Sequence, residues 1–399
     1  MKKIMILGAS ILQLPAIEKA KKMGLQVIAV DMNPDAIGFK VEGITKEVIS
    51  TIDKEKVLDA AKKHQIDGIM TLASDMPMQT VAMVAKELKL VGVSEDTALK
   101  ATNKGKMRAA LKAANVPIPL FFRVITKDEY LNAVNEIRKS GCRCIIKPAD
   151  NSGSRGIYLL EDYSPKSVEE AYSYSRQSSR SGELMVEEYM EGPEVSVETL
   201  SINGKCHVIQ VTDKVTTGAP YFVEMGHSQP SRQLEYIRSE IEKVAIAANH
   251  AIGIKNGPSH TEIKVTKEGP KIVELGARLG GDNITTYLTP LSTGVDMVEC
   301  CIKIALGELP DIEKKICKAS AIRYFDVEQG TIKNITGIEE AERIPGVRQI
   351  YVVHGVGETL NGIKCSGDRA GFVIAQSDSV DRAIAACDEA NKLIKIEVG

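Results

Sequence analysis

Two glutamates on a predicted hairpin are the clearest sign of chemistry in the sequence. In HTEIKVTKEGPKIVELG, the KEGP segment predicts a turn between two β-rich runs, residues 259–266 and 271–275. If the hairpin is symmetric about Glu268, Glu262 lies directly opposite Glu274. Like charges across a ladder repel each other, but a divalent cation held between them removes the repulsion. The pair therefore predicts a magnesium-type site, with a solvated pair of surface glutamates as the alternative.

A glycine-rich loop after an apolar strand predicts an anion site. The segment IIKPADNSGSRGI places Lys147 at the end of a strand and follows it with small and polar residues, including Gly153 and Gly156. Such a loop turns its N–H groups inward, and Lys147 and Arg155 add positive charge. A P-loop is excluded because no GK[ST] follows and no helix begins there. An ordinary glycine-rich hairpin with a solvated lysine is the alternative.

A third segment, LMVEEYMEGPEVSVE, has the features of a nucleotide-contacting strand end. An apolar strand leading into Glu187 and Met190 presents backbone groups that can pair with an adenine edge. Glu194 follows at a distance suited to accepting hydrogen bonds from ribose hydroxyls. A charged, solvent-exposed strand end is the alternative for this segment.

The elements that must position these residues begin with alternating strands and helices. Residues 1–95 alternate short β-rich runs with helical stretches, which predicts a parallel sheet covered by helices. The next segment predicts a helix pair that ends at two prolines, and a small α+β unit follows. Its predicted strands lie near 120–125, 143–148 and 156–160, and its predicted helices near 127–139 and 165–177.

The second half of the chain has longer strands. From LMVEEYMEG onward the strands alternate apolar with acidic positions, which predicts an antiparallel sheet with one functional face. A long helix interrupts this sheet at RQLEYIRSEIEKVAIAANHAIG, and the hairpin follows. The last ninety or so residues predict a separate small α+β module.

Composition excludes several classes of protein. The 51 basic and 53 acidic side chains give a net charge of -2, so neither a nucleic-acid partner nor a membrane surface is expected. The opening MKKIMILG resembles a signal peptide, but Gln13 and Pro15 interrupt the apolar run, which indicates a first βαβ unit instead. No run is long enough to span a bilayer. The eight cysteines lack paired CxxC spacing, which predicts reduced thiols and a cytoplasmic protein.

The first βαβ unit invites a dinucleotide interpretation, with Asp31 as a ribose ligand. Of the three glycines that such a site needs, only Gly8 is present, since Ser10 and Gln13 place side chains where the other glycines would stand. A dehydrogenase is therefore disfavoured. A structural or substrate-binding role for this turn is preferred.

Taken in order, these pieces resemble the ATP-grasp superfamily. The match spans the chain from the first βαβ unit to about residue 310, and it adds Lys104 in NKGKMRAALKAANVPIP and Arg278 in ELGARLGGD. The resemblance implies Glu262 and Glu274 as metal ligands, with Arg278 and Lys147 as catalytic residues. The implied ATP-binding residues are Lys104, Lys147, Ser152, Gly153, Ser154, Gly156, Glu187, Met190 and Glu194.

Within that superfamily, EMGHSQPS, ELGARLGGD and the tail GDRAGFVIAQSDSVDRAIAACDEANKLIKI are most similar to L-amino acid ligases and related carboxylate–amine ligases. The implied fold is mixed α/β and α+β: an ATP-grasp fold with a mobile lid and an antiparallel-sheet catalytic domain. Its parts are a Rossmann-like pre-ATP-grasp domain at 1–100, an ATP-grasp domain at 101–310 with the lid at about 117–186, and a C-terminal α+β module at 311–399.

The resemblance also implies the reaction. ATP activates a small carboxylate as an acyl phosphate, and an amine displaces phosphate to form an amide or peptide bond, so the implied cofactors are ATP and Mg²⁺, with Mn²⁺ as the alternative metal. His227, Asp75 and Arg278 are the candidate substrate contacts: His227 lies in a polar turn, and Asp75 lies at the carboxyl end of a parallel strand. Relatives are often dimers, so a homodimer is one expected state.

One position departs from the family pattern. The usual asparagine two residues after the second glutamate is Gly276 here, so a metal ligand is missing, and Asp282, Asn283 or a water is a candidate replacement. Three alternatives to the ligase follow. They are a carboxylase or purine-pathway-like enzyme that activates bicarbonate or formate, a non-catalytic nucleotide-binding regulator, and the disfavoured dehydrogenase.

Overall fold

A four-stranded parallel sheet opens the chain. The computed structural model describes residues 1–151, 153 and 155–399. The strands of this sheet are β1 (Lys3–Leu7), β2 (Gln26–Asp31), β3 (Thr45–Val48) and β4 (Gly68–Met70), in the order β3-β2-β1-β4. Its helices are α1 (Leu14–Lys22), α2 (Lys54–His64) and α3 (Met78–Glu87), with a 3-10 turn at Ile37–Lys40. Most of β1 and β2 is buried, as their unbroken apolar runs predict for a sheet covered on both faces.

The turn after β1 is filled by its own side chains. The Gln13 side chain lies against Gly8, where a β-carbon added to the glycine would collide with it. The Ser10 hydroxyl donates to Gln13 Oε1 at 2.7 Å, and Gln13 Nε2 donates to the Leu72 carbonyl at 2.6 Å. These contacts tie the first turn to the end of β4.

A small antiparallel sheet forms the next unit, after helices α4 (Glu95–Thr102) and α5 (Lys104–Ala113). Its strands are β5 (Phe121–Val124), β6 (Cys144–Pro148), β7 (Tyr158–Leu160) and β8 (Leu184–Glu188), in the order β5-β8-β6-β7. Its helices are α6 (Lys127–Lys139) and α7 (Pro165–Ser178), close to their predicted bounds. A capping box between Thr126 and Glu129 fixes the start of α6.

Strand β8 belongs to this small sheet. The sequence pattern assigns LMVEE to the sheet that follows, and that assignment is wrong. Val186 lies opposite both Phe122 of β5 and Ile146 of β6, and it is buried in the core that these strands share with α6 and α7. Central apolar side chains of this kind are buried on pairing with two neighbours, which decides the sheet to which the strand belongs.

The second half of the molecule is built on one long antiparallel sheet. Its first strands are β9 (Glu194–Ile202), β10 (Lys205–Thr216), β11 (Glu224–Gln229), β12 (Gly257–Thr266) and β13 (Gly269–Gly276), with helix α8 (Glu235–Ile252) between β11 and β12. The later strands are β14 (Ala319–Tyr324), β15 (Gly330–Thr336), β16 (Val347–Val352), β17 (Thr359–Leu360), β18 (Gly371–Ser377) and β19 (Lys395–Val398). The later helices are α9 (Thr289–Thr293), α10 (Met297–Ala305), α11 (Ile338–Glu342) and α12 (Val380–Leu393), with a π-helical turn at Ile284–Leu288 and a 3-10 turn at Ser366–Asp368.

The C-terminal strands continue this sheet. The strand order is β13-β12-β9-β10-β11-β14-β18-β16, and β17-β15-β19 form a separate small sheet. The sequence predicts a separate C-terminal module, yet β14 pairs with β11 from Gly226 opposite Arg323 to Gln229 opposite Ser320. The pairing satisfies the backbone groups that β11 would otherwise leave at a sheet edge. It also brings the C-terminal segment beside β10 and β11.

Helix α10 packs the first sheet against the rest of the molecule. Ile302 and Ile304 of α10 share one buried core with Ile4 and Ile6 of β1. Gly68 of β4 lies so close to the α10 backbone that a β-carbon there would sit 2.7 Å from a carbonyl oxygen. In the part of the chain that the structure describes, no helix combines the length and apolar character needed to cross a membrane.

Candidate functional site

The predicted glutamate pair is present on the hairpin. Glu262 of β12 lies directly opposite Glu274 of β13, as predicted. The ladder is not symmetric throughout, because a bulge follows and Ile263 pairs with Ile272, leaving Val273 as the extra residue. Bulges often re-aim side chains beside functional sites. Here the bulge lies immediately next to the glutamate pair.

The polar residues of neighbouring strands share one face of the sheet with this pair. The opposed pairs are His260 with Glu198, Glu262 with Ser196 and Lys264 with Glu194. Because side chains alternate along a strand, these residues and Lys214 of β10 project to the same side. The alternation of apolar and acidic positions in the sequence therefore predicts which polar side chains share one face of the sheet, and the function of that face stays a prediction.

Lys214 is the centre of a cluster that sequence reasoning missed. Its ammonium lies 2.7 Å from Glu194 Oε1, 2.9 Å from Glu262 Oε1 and 3.6 Å from Glu224 Oε1. We call these four residues the hairpin cluster. Burial opposes the charge of Lys214, but the three carboxylates override burial and raise its pKa well above the usual value. The available signal was a lysine inside a strand whose neighbours carry acidic residues on the same face.

A second cluster holds Glu187 at the end of β8. Arg108 of α5 donates to both Glu187 oxygens, Nε at 2.7 Å and Nη2 at 3.1 Å, and Lys147 Nζ lies 2.6 Å from Glu187 Oε2. We call Arg108, Lys147 and Glu187 the strand-end cluster. Burial would raise the pKa of Glu187, but the two cations lower it to about 2. Glu187 is thus held in its charged form, and its predicted contact with ATP stays a prediction.

Sequence reasoning also missed Arg108. It stands one helical turn after Lys104, so the two side chains share one face of α5, and that spacing was the available signal. Arg108 Nη2 also donates to the carbonyl of the bulged residue Val273 at 2.8 Å. This arginine thus joins the helix, the small sheet and the catalytic hairpin.

Lys104 connects the predicted phosphate loop to the hairpin. Its Nζ donates to the Asn151 carbonyl at 2.7 Å and to Glu274 Oε1 at 2.9 Å. In the loop itself, Gly153 and Gly156 adopt positive φ angles of 65° and 78°. A β-carbon on Gly156 would collide with Ser178 and Pro148, so this position requires glycine. Two predicted ATP-binding residues, Ser152 and Ser154, lie outside the described residues.

Arg278 is paired with a residue from the first sheet. Its Nε donates to Asp75 Oδ1 at 2.8 Å and its Nη2 donates to Asp75 Oδ2 at 2.9 Å. Burial opposes the charge on Arg278, but Asp75 keeps its pKa above the usual value. The structure thus places Asp75 against Arg278, and its predicted contact with a substrate amine stays a prediction.

His227 lies within strand β11, paired with β10 and β14, so the polar turn predicted for this residue is wrong. It lies beside the π-helical turn and faces the C-terminal segment. It is buried, and its Nε2 is 3.2 Å from Asp282 Oδ2. Asp282 is held by Arg369, whose Nη1 and Nη2 donate to the two carboxylate oxygens at 2.9 and 2.7 Å. Burial would raise the pKa of Asp282, but Arg369 and His227 hold it far below its usual range. Asp282 is thus engaged by Arg369 and His227, and its candidate role as a replacement metal ligand stays a prediction.

His260 belongs to the functional face. Its Nδ1 is 2.7 Å from Glu198 Oε1 and its Nε2 is 3.4 Å from Glu262 Oε1. Burial opposes a charged imidazole, but the two carboxylates raise its pKa to about 9. A protonated His260 therefore compensates part of the negative charge beside Glu262.

One cavity collects most of these residues, and we call it the central cavity. Of the predicted site residues it is lined by Lys104, Lys147, Gly153, Glu187, Met190, Glu194, Glu262, Glu274 and Arg278. The lining does not include Gly156, His227, Asp75, Asp282 or Asn283. It adds Phe222, Glu224 and Lys264, which sequence reasoning did not select. The cavity thus unites segments separated by more than a hundred residues.

The glutamate pair fits a divalent cation. Both carboxylates are partly exposed to the central cavity, and oxygen ligands of this kind suit Mg²⁺. Among the described residues, no group of three or more His, Cys, Asp and Glu side chains is placed to hold a metal alone. A cation bound here would thus take its other ligands from phosphate oxygens and water.

Two family models match the chain. Residues 140–286 match the ATP-grasp domain, and residues 323–399 match the L-amino acid ligase C-terminal domain 2. The first match covers strands β6 to β8 of the small sheet, the loop between β6 and β7, and the glutamate hairpin. The second begins within β14 and covers the later strands that continue the long antiparallel sheet.

Known proteins resemble the chain over most of its length. An L-arginine-specific L-amino acid ligase of Bacillus subtilis is 26% identical over 78% of this chain and 75% of its own length. A phosphoribosylamine–glycine ligase of Methanocaldococcus jannaschii is 25% identical over 96% and 91%. The crystal structure of an L-amino acid ligase from Bacillus licheniformis covers 100% of this chain and 99% of its own, at 25% identity and a TM-score of 0.86.

Proposed function

This chain belongs to the ATP-grasp superfamily of ATP-dependent ligases, and from that premise we propose that it joins a small carboxylate to an amine through an acyl phosphate. The products are an amide or peptide bond, ADP and phosphate. The observation that carries the proposal is the Glu262–Glu274 pair, which lines one cavity together with Lys104, Lys147 and Arg278.

The first step transfers a phosphoryl group. A carboxylate oxygen of the substrate attacks the γ-phosphorus of ATP, the bond to the β–γ bridging oxygen breaks, and ADP leaves. Phosphoryl transfer depends mainly on positioning and on neutralising negative charge. Lys104 and Lys147 supply cations on the loop side, and Glu262 and Glu274 would hold Mg²⁺, with Mn²⁺ as an alternative, on the hairpin side. A bound metal would supply further charge neutralisation to the phosphates.

The second step forms the C–N bond. The amine nitrogen attacks the acyl carbon, phosphate leaves, and the nitrogen loses a proton. Arg278 stabilises the charge on the acyl phosphate and on its tetrahedral adduct, since a guanidinium is permanently charged and offers a planar fork of donors. The step needs no nucleophilic Ser or Cys.

Water must be kept away from the acyl phosphate. We assign the chain to a pre-ATP-grasp domain at 1–100, an ATP-grasp domain at 101–310 with its lid at about 117–186, and a C-terminal module at 311–399. The loop that carries Gly153 and Gly156 belongs to this lid and closes over ATP. Closure of this kind excludes water from a reactive intermediate.

An amino acid is the proposed carboxylate substrate, and a second amine, such as another amino acid, is the proposed acceptor. The match of residues 323–399 to the L-amino acid ligase C-terminal domain supports this class. The likeness to biotin carboxylase and carboxyaminoimidazole ribonucleotide synthetase structures, at 15–21% identity, concerns the fold alone. The carboxylase alternative therefore has no observation of its own.

Phosphate release from Mg-ATP tests the proposal. The assay runs against pooled amino acids and small carboxylic acids, with bicarbonate and formate as separate arms. We expect release only with an amino-acid pool, and loss of release in Glu274→Ala. The matched control is Glu268→Ala, which changes an exposed glutamate in the turn of the same hairpin.

Two results would contradict the proposal. Turnover that depends on bicarbonate or formate alone would favour the carboxylase alternative. ATP binding without turnover in any pool would favour the regulator alternative. Splitting an active pool identifies the two substrates.

A further inference from the structure

The pairing of Asp75 with Arg278 joins two parts of the molecule at the central cavity. Asp75 lies in the segment 73–77, between β4 of the first sheet and helix α3, whereas Arg278 follows β13 of the catalytic sheet. The two side chains form a bidentate pair at 2.8 and 2.9 Å, and both are more than four-fifths buried. This geometry fixes the plane of the guanidinium as well as its position.

The pair leaves part of the arginine facing the cavity. A guanidinium has five N–H donors. Nε and Nη2 each give one to Asp75, and Nη1 gives one to the Leu279 carbonyl at 3.2 Å. The other two have no partner among the described residues, and Arg278 lines the central cavity. Asp75 thus determines which donors remain for a ligand.

Gly276 supplies the space that this pairing needs. A β-carbon at Gly276 would lie 3.1 Å from Asp75 Oδ1 and 3.3 Å from both Cζ and Nε of Arg278. These separations are tighter than ordinary van der Waals contact, so with a side chain at 276 the carboxylate or the guanidinium would have to shift by a few tenths of an ångström. Glycine at 276 therefore leaves room for Asp75 beside Arg278.

The segment carrying Asp75 is held on several sides. Its first neighbour, Leu72, accepts the Gln13 hydrogen bond at its carbonyl oxygen. Ala73 has a φ of 56°, a left-handed conformation that is uncommon for a residue with a β-carbon. Backbone strain of this kind persists only where the surroundings enforce it, and it concentrates at functional sites. Asp75 is thus presented by a constrained backbone.

We propose that Asp75 is a positioning residue, which holds Arg278 in one orientation toward the reacting groups, and that glycine at position 276 leaves room for the pair. The inference rests on the proposed function, because it assigns Asp75 to the acyl-transfer chemistry of Arg278. An arginine side chain has several rotatable bonds, and the carboxylate removes that freedom before substrate binds. Preorganisation of this kind lowers the barrier to the reaction.

The kinetic test uses Asp75→Asn in the full chain. The amide keeps the shape of the carboxylate but loses its charge and one acceptor, so we expect kcat for product formation to fall roughly 10- to 100-fold. KM for ATP stays within about twofold, because Asp75 does not line the central cavity. The matched control is Lys19→Ala, which removes another ion pair between α1 and the start of α10, remote from the cavity lining. An unchanged kcat in Asp75→Asn overturns the proposal, and so does an equal fall in the control.

A double substitution tests the role of Gly276. Gly276→Ala adds one β-carbon, and we expect it to lower kcat in the same direction as Asp75→Asn. Because both changes act on the orientation of Arg278, the double variant should lose little more than the worse single variant. If the loss of kcat in the double variant equals the product of the two single losses, the substitutions act independently, which contradicts a shared mechanism.

A spectroscopic measurement separates this inference from the proposed function. In protein labelled with ¹⁵N-arginine, the Nε–H signal of Arg278, assigned by its loss in Arg278→Lys, should be protected from exchange and should shift or broaden in Asp75→Asn. If the wild type releases no phosphate with any substrate pool but shows this protected signal, the proposed function is wrong and the Asp75–Arg278 ion pair is still confirmed. If the Nε–H signal of Arg278 is not protected from exchange, or does not change in Asp75→Asn, the positioning role is contradicted whether or not the protein turns over ATP.

Discussion

Two charge clusters contribute to the same cavity and differ in their balance. The strand-end cluster sets the cations Arg108 and Lys147 against the single carboxylate of Glu187, and all three side chains are almost fully buried. The hairpin cluster sets one buried ammonium against three carboxylates that are 16–24% exposed. The first has an excess of positive charge and is almost closed to solvent, although Lys147 and Glu187 reach the cavity wall. The second has an excess of negative charge that faces the cavity.

The difference indicates what each cluster is built to do. A sealed charge must find its partners within the protein, so loss of one partner is costly to the fold. Carboxylates in excess at a cavity wall gain from a bound cation instead. We therefore expect substitution of Glu187, which neutralises the strand-end cluster, to affect mainly stability, and substitutions in the hairpin cluster to affect mainly activity.

The largest expected effect comes from Glu262→Gln. This change removes one carboxylate of the hairpin pair while keeping its size, and we expect Mg-ATP turnover to fall at least about 10³-fold, since a metal contributes several kcal/mol of charge stabilisation. Phosphate release measures it, with Glu268→Gln in the turn as the control. Retained turnover in Glu262→Gln would mean that the pair does not hold a metal.

The next effect is on stability and arises in the strand-end cluster. Glu187→Gln leaves Arg108 and Lys147 without their buried counter-charge, so the free energy of unfolding should fall by about 3–5 kcal/mol. Urea denaturation measures it. The neighbouring Glu188 is only partly buried and faces the single cation Lys271 at 3.3 Å, so Glu188→Gln should cost less than Glu187→Gln. If both substitutions lower the free energy of unfolding equally, the closed strand-end cluster does not differ in this respect from the more exposed Glu188–Lys271 pair.

Acid should weaken the strand-end cluster in a defined range. Because the pKa of Glu187 is about 2 in the folded protein and 4.5 ordinarily, its contribution is complete above pH 4.5 and is lost as the pH falls toward 2. The wild type should lose about 3 kcal/mol more than Glu187→Gln across that range. Urea denaturation of both proteins at a series of pH values tests this. If the free energy of unfolding falls with pH by the same amount in both proteins, the Glu187 carboxylate is not held in its charged form.

The smallest expected effect is on metal affinity. Lys214→Met removes the single cation of the hairpin cluster, so Mg²⁺ without nucleotide should bind roughly tenfold more tightly, about 1.4 kcal/mol, because the ammonium no longer competes for Glu262. Calorimetric titration measures the affinity. Lys147→Met in the strand-end cluster serves as the control and should bring no gain. If both variants gain the same Mg²⁺ affinity, the gain comes from the lower positive charge of the protein and not from the release of Glu262.

Much of the fold could be predicted from local patterns, and the ATP-grasp fold is confirmed by the structural comparisons. Apolar runs and turn signals give the parallel sheet, and helix α6 matches its predicted bounds because Thr126 and Glu129 mark its start. Strand β8 was assigned to the wrong sheet, since its apolar pattern suits either neighbour. Only pairing with β5 and β6 buries it, and such long-range partners leave no local signal.

The candidate site divides in the same way. The opposition of Glu262 and Glu274 follows from the turn and the register of one hairpin, so it could be predicted. Asp282 could not be placed, because its partner Arg369 comes from the far end of the chain. The roles of the residues in the cavity stay predictions until the kinetic tests are made.

The sequence alone determined which local segments could do chemistry, because turn residues, strand alternation and helical spacing act over a few residues. It placed two glutamates opposite each other and a lysine before a glycine-rich loop. Only the tertiary structure decided which charges neutralise each other: Lys214 with three carboxylates, Glu187 with Arg108, and Asp75 with Arg278. The physical reason is that charge pairing depends on distances of a few ångströms between segments that the chain leaves far apart.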